Sequence, residues 1–516
     1  MKGGVMKTHR FIIVAATLMV ALPLVRPAIA EQFTVGGRPL NLYGYITQGA
    51  SFSLKDDDHF DTEGDLQSAL TNFFIEGDYS ITNNLKLYLS GMVTVDWVYE
   101  MKHNDESWTE KEFHKSRDKL FIDDEYWQLL KEAHFTWTPG NFFFRIGKQI
   151  VVWGETDGFR LMDQINPLDQ RRGFADVEFE TTIIPIWLVR AEYYPPISTG
   201  WLQDLGFEFT FNPNADFIPN LPIRLGNDVA GIWAPEILTS FPLSPGGKAH
   251  VGSQLLDIKD PDEFDPEGFE YGFRLKTIIR EAIITLNYFY GRDNDPALRM
   301  APKFPHITTS AYDDRLIIHP FMEGRHPLFR FVGGTFSRDI NPLQFSPLGG
   351  VAPVLRIEAL YAFDNTFATT LDDFEETDEL RWAIGIDWKL RIPILNPKRT
   401  FLISTQFYHR RFHDYPSGYD LVNPATGSNF EHADNYQATL LIDTAYFHEK
   451  LKPSIFWLRD ITDRGNFFRF QTVYEYTNEW AFTIGALFLD GDRHTRGFEP
   501  LKHKDYLYLK IAYKWG

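Results

Sequence analysis

The 516-residue chain contains no cysteine. That excludes disulfides, thiolate metal sites, a cysteine nucleophile and attachment of c-type haem through C-x-x-C-H. Beyond residue 30 no run reaches 18 apolar residues, so the rest of the chain offers no membrane-spanning helix. Basic residues are scarce beside acids, 51 against 70, for a net charge of −19. That balance argues against nucleic-acid binding and fits a surface of acidic loops. G-x-S-x-G, H-E-x-x-H and P-loop patterns are missing. So are an EF-hand spacing, any cofactor motif and an internal repeat of solenoid or propeller period. No linker or composition break divides the chain.

Aromatic residues, by contrast, make up 16% of the chain, with Phe 45, Tyr 23 and Trp 13. Aromatic girdles at two membrane interfaces would use many of them. Mean hydropathy is −0.27, too low for a helical membrane protein. The first 30 residues read as a cleaved secretory leader. Lys2, Lys7 and Arg10 form its basic region, Phe11 to Val25 its apolar core, and Ala28-Ile29-Ala30 its cleavage site. Cleavage there removes four basic residues and no acids, taking the net charge from −19 to −23. Residues 31–516 then form one domain.

Period two dominates that domain. Leu380, Trp382, Ile384, Ile386, Trp388, Leu390 and Ile392 alternate with Glu379, Arg381, Asp387, Lys389 and Arg391. Alternation this long suits a tilted membrane crossing of about 9–11 residues, with the aliphatic row toward lipid and the charged row toward water. Without a spanning helix, backbone satisfaction in lipid leaves only a closed barrel. The fold class is therefore all-β, a transmembrane antiparallel β-barrel. Candidate strands are 40–52, 68–80, 85–98, 130–138, 141–153, 183–194, 205–212, 269–279, 281–290, 328–336, 354–363, 379–392, 401–412, 436–446, 451–460, 465–476, 480–489 and 505–515. They number about eighteen, with sixteen as the alternative. Short periplasmic turns and long extracellular loops alternate between them. Residues 337–353 and 461–464 break that rhythm, and a missed hairpin would account for both. Leu507 to Trp515 ends aromatic-x-aromatic before Gly516, resembling the C-terminal signature of outer-membrane proteins.

One stretch organises the rest, Phe144 to Asp169. It starts as a strand bearing Arg145 and Gln149 on one face, and leaves that strand at Trp153-Gly154. Lys148 falls on the lipid-facing row by strict alternation; either Gly147 makes a bulge that turns it inward, or it snorkels to an interface. Asn166-Pro167 sets a turn. Glu155, Asp157, Asp163 and Asp169 sit among Arg160, Arg171 and Arg172. Opposite charges at that density suggest a fixed ion-pair network. The expectation is that loop 154–182 folds into the lumen as a constriction; the alternative is a cap over the rim. The candidate pore residues are Arg145, Lys148, Gln149, Trp153, Glu155, Arg160, Asp163, Asn166, Asp169, Arg171 and Arg172.

Gly147-Lys148-Gln149, Trp153-Gly154 and Asp163-x-Ile165-Asn166-Pro167-Leu168-Asp169 together resemble a large family of Gram-negative outer-membrane proteins known mostly as a domain of unknown function. The resemblance implies a porin-like barrel that handles hydrophobic or aromatic small molecules. Ile340-Asn341-Pro342-Leu343 repeats part of the pattern as a turn.

Other inner-wall candidates are Lys86, Asp96, Arg381, Asp387, Lys389 and Arg391, with Arg411, Lys510 and Lys514 placed on the same inward row. Such cations either favour anionic solutes or pair with inward acids such as Glu379. The acids of loop 213–268 read as a solvated charge run, with no metal ligand set. His409, His413 and Asp414 cluster with Arg410 and Arg411 and are the nearest thing to a catalytic group. Three functions compete. The first is passive passage of small solutes. The second is a sleeve housing a partner protein, such as an exported electron carrier, in the lumen. The third is an outer-membrane hydrolase. The expected partners are outer-membrane lipid and lipopolysaccharide, the barrel assembly machinery and a small solute, with no cofactor, metal or nucleic acid.

Overall fold

The computed structural model describes residues 31–56, 63–64, 66–101, 128–156, 159–170, 182–220, 240–243, 247–251, 255–309, 316–344, 349–422, 431–492 and 497–516. The expected leader, Asp157, Arg171 and Arg172 lie outside these residues.

Eighteen strands form the wall. They are β1 Arg38–Ser53, β2 Leu70–Ser80, β3 Leu85–Asp96, β4 Glu132–Trp137, β5 Phe142–Gln149, β6 Ile186–Tyr193, β7 Leu202–Asn212, β8 Glu270–Ile279 and β9 Ala282–Arg292. They continue as β10 Leu328–Asp339, β11 Val354–Thr369, β12 Phe374–Leu390, β13 Phe401–Phe412, β14 Asp434–Asp443, β15 Leu451–Asp460, β16 Asn466–Glu475, β17 Trp480–Asp490 and β18 Tyr506–Trp515. Each pairs antiparallel with the next. β1 pairs with β18 on one side and β2 on the other, which closes the ring. Closure leaves no long unpaired edge, the condition a sheet must meet in lipid.

Alternation fixes the two faces. Phe73, Ile75, Leu89, Phe135, Ile146, Phe207, Phe273, Leu286, Val332, Ile484 and Leu509 stand exposed on the outer row. In water such a belt would be an aggregation hazard; in a bilayer it is the solvated face. Inward residues are polar or packed: on β12 Glu379 and Ala383 are fully buried, while Ile384, the residue after Ala383 and on the other face, is exposed. A one-residue slip would exchange the rows and put Glu379 into lipid. Among the described residues no helix is long and apolar enough to cross a membrane.

At the seam, Trp515 lies over Gly44. A Cβ there would sit 2.3 Å from the indole and 2.7 Å from the Phe74 carbonyl oxygen. Below that point Glu31–Val35 pairs with Arg38–Leu42, occupying the place in the sheet that β18 vacates.

The alternative of sixteen strands falls away, and so does the missed hairpin. β10 pairs directly with β11, their link opens with a 3-10 turn at Asn341–Leu343, and 461–465 is a tight turn. What the sequence hid is the height of β11 and β12. They run 16 and 17 residues and meet at 370–373. A register shift beyond Ala362, with Asp364 at φ 47°, interrupts the alternation there. The connections of β7 to β8 and β9 to β10 together build two small sheets at the long-loop, extracellular rim. One has four strands and the other three.

Candidate functional site: a segment folded across the lumen

The strand β5 ends at Gln149, four residues before the expected exit at Trp153. The reason is local. From Ile150 onward the backbone donors find side chains in place of a neighbouring strand. Ile150 N donates to Glu132 (3.3 Å), Val151 N to Asn166 Oδ1 (2.8 Å), and Trp153 N and Gly154 N to Asp163 Oδ1 (2.6 and 2.9 Å). Glu155 N, Thr156 N and Met162 N all donate to the carboxylate of Glu358 on β11, at 2.9, 3.1 and 2.7 Å. Irregular backbone at membrane depth is tolerated only when every polar group is satisfied internally. That is why this stretch is so rich in Asp, Asn and Glu.

The segment thus crosses from β5 to the far wall. Its near end is held by Arg274 of β8, which donates to the Val152 and Trp153 carbonyls at 3.2 Å each. Trp153 is fully buried, its Nε1 donating to Glu208 of β7 at 2.9 Å. Its ring lies against Gly272, where a Cβ would come within 2.6 Å of it. At the far end Phe159 stacks on Tyr408 of β13, with ring centres 4.9 Å apart. Leu161 and Met162 join Phe331, Leu360, Ala362 and Ala383 in one cluster. Met162 fits because position 333 is glycine: a Cβ there would meet its terminal methyl at 2.2 Å.

Several residues read from the sequence as pore borders are packed out of solvent. Asn166 is buried, its amide donating to the Gln149 and Ile184 carbonyls at 3.1 and 3.0 Å while its oxygen caps Val151. Gln149 and Trp153 are fully buried. Asp169 accepts from Gln128 at 3.1 Å, tying this segment to the preceding loop. Lys148 is buried too. Gly147 does take a glycine-only conformation, φ 134°, but the ladder register runs unbroken past it, so no residue is inserted. Glu155, Asp163, Arg160 and Arg145 keep partial solvent access. Arg160 donates to the Asn166 carbonyl at 2.6 Å. Burial pushes its pKa down to about 10, so it stays charged at neutral pH.

On the inner wall, Arg381 pairs with the buried Glu379, which also takes Arg410 at 2.7 Å. Asp387 pairs with Arg356 at 2.8 Å, and Arg356 reaches the Glu155 carbonyl. Asp96 caps the Ala69 and Val98 amides at the top of β3. Lys86 and Lys389 are exposed near the short-turn, periplasmic mouth, and Arg391 falls in the turn after β12, not on the wall. Arg411 is a correction: it pairs in register with Leu380 on the outer row, and Arg410 is the inward residue. His409 also faces out, bonded to Trp382 (2.9 Å) and Asp434 (2.8 Å) away from the lumen.

At the long-loop end of the lumen lies a pair of acids. Asp295 accepts from Asn220 at 2.8 Å, and its amide donates to Asp293 at 3.0 Å. Burial, reinforced by Asp295, pushes the Asp293 pKa up to about 6.

A ring closed in this way, apolar outside and charged within, is an outer-membrane β-barrel of porin type. The chain belongs to the family described as "Protein of unknown function (DUF1302)", whose model matches residues 11–515. No curated protein matches it. Among solved structures it is similar to OccAB3 of Acinetobacter baumannii (7% identity, 92% of this chain and 99% of that one, TM-score 0.47). It is likewise similar to a BenF-like porin from Pseudomonas fluorescens Pf-5 (7%, 94% and 100%, 0.46) and to OccD3 of Pseudomonas aeruginosa (7%, 96% and 95%, 0.44).

Proposed function

We propose that the protein is a passive channel for small solutes across the outer membrane. The observation that carries this reading is the crossing segment, anchored at one wall by Arg274 and Glu208 and at the other by Glu358. A bore narrowed by a segment fixed at both ends selects by size and charge without a moving part. The segment's apolar face is spent on Tyr408, Phe331 and Leu360. Its described residues with solvent access include the polar Glu155, Arg160 and Asp163 beside one exposed apolar residue, Val152, a mainly polar lining that favours polar solutes over the hydrophobic or aromatic compounds the family resemblance implies. The same segment speaks against a sleeve, because it stands where a housed partner would pass.

The test is single-channel recording from the refolded protein in a planar bilayer. Discrete current steps with a reproducible ion preference are expected. A folded, heat-modifiable barrel that carries no current would overturn the channel reading.

A further inference from the structure

Two arginines meet on the lumen wall of β5 and β6. Arg145 and Arg190 are direct register partners, and both face inward. Like charges directly opposite in an antiparallel pair destabilise it. Arg190 is offset by Glu192 at 2.7 Å and Glu208 at 3.2 Å. Lys276 of β8 shares both carboxylates, at 3.2 and 2.7 Å. Arg145 has no carboxylate within ion-pair distance among the described residues. Its Nε donates to Thr136 Oγ1 at 3.1 Å, and its terminal nitrogens make no bond there. The Phe143 ring steadies both guanidiniums, 5.2 Å from Arg145 and 5.6 Å from Arg190. From β4 to β8 the lumen face carries Arg145, Arg190, Arg274 and Lys276 against Glu132, Glu192, Asp204, Glu208 and Glu270, so the cations stand interleaved with acids.

We propose that Arg145 is a docking site for the carboxylate of a small monoanionic solute, an inference that rests on the channel reading above. A guanidinium with its fork open and its plane steadied by an aromatic ring is suited to bidentate carboxylate binding. The acids beside it select the valence. A monoanion spends its charge on Arg145, whereas a dianion meets Glu192, diagonal to Arg145 across the β5–β6 ladder, with charge left over.

The experiment adds butyrate or inorganic phosphate, at millimolar concentration and at about pH 8.5 where phosphate is a dianion, to channels conducting chloride. Butyrate interrupts the current and phosphate does so more weakly. Arg145→Gln lowers the apparent butyrate affinity about tenfold or more, the worth of a charge-assisted pair. Arg145→Lys keeps the anion preference but loses most of the interruption, because the fork is gone. Arg338→Gln removes a charge from the outer wall and leaves butyrate interruption intact. Interruption unchanged in Arg145→Gln, or phosphate matching butyrate, overturns the site while the channel stands. Should no current appear at all, butyrate binding to the detergent-folded barrel, lost in Arg145→Gln, would support the site without the channel; no binding would overturn it.

Discussion

Glu358 shows how one buried acid can hold a whole segment. It is fully buried, and three backbone amides and the Thr156 hydroxyl converge on it. Each buried donor left without a partner costs about 1–3 kcal/mol. Glu358→Ala is expected to leave the barrel folded and to release the far end of the segment, giving larger and noisier current steps than the parent. Steps of unchanged size would separate Glu358 from the bore. Asp293 makes a second prediction at this scale. Its folded pKa is raised above the unfolded value of 3.8 to about 6. Its contribution to stability is therefore fully present below about pH 4 and is lost as pH rises through about 6. Asp293→Asn should unfold at a lower or equal temperature to the parent at pH 4 and at a higher one above pH 6, followed by circular dichroism in detergent. Parallel pH curves for the two proteins would sink this assignment.

At the scale of elements, the crossing segment is placed by glycines as much as by charges. Gly333→Val puts a branched side chain where the Met162 methyl and the Ala359 carbonyl already sit. The segment must then shift off the wall and into the bore, so conductance should fall, the opposite sign to Glu358→Ala; conductance equal to or above the parent's would refute the packing argument. The strands were legible because lipid outside and water inside write a period of two into each of them. Legibility failed where that contrast ends. Residues 364–378, DNTFATTLDDFEETD, rise above the membrane, where Phe367 packs on Phe412 and Leu421 and no lipid-facing row is needed, so nothing in their pattern marks the upper parts of β11 and β12. The in-turned stretch was readable from its two-signed charge and Asn166-Pro167. Its anchors were not: Glu358 is about 200 residues away in sequence, and register alone brings it opposite Gly154. The signal available was a lone inward acid between Arg356 and Leu360 on an alternating strand. The mistaken inward placement of Arg411 has the same origin, since Arg410-Arg411 offers a cation to either row.

For the molecule as a whole, stability depends on closing the ring, and the closing ladder, Gly44–Trp515 to Ser53–Tyr506, begins at its tightest contact. Gly44→Val would drive a side chain into the Trp515 ring and the Phe74 carbonyl, so the C-terminal end of β18 would be forced off β1. The heat-modifiable form on unheated gels should be lost, while Gly37→Ala, in a turn with open space around it, should be milder despite its φ of 76°. Equal yields of closed barrel from Gly44→Val and the parent would show that the seam tolerates misfit. The anchored segment has one more consequence at this scale, and it is mechanical. A thin-walled cylinder squeezed from the side goes oval before it breaks, because only its wall resists. The stretch from Gln149 to Met162 is a spoke, fastened at β5 and at β11, and a spoke holds two points of a rim at a set distance. Lateral pressure that moves β5 and β11 together or apart therefore also strains the bonds at Glu358, so along that one line the bore is stiffened from inside.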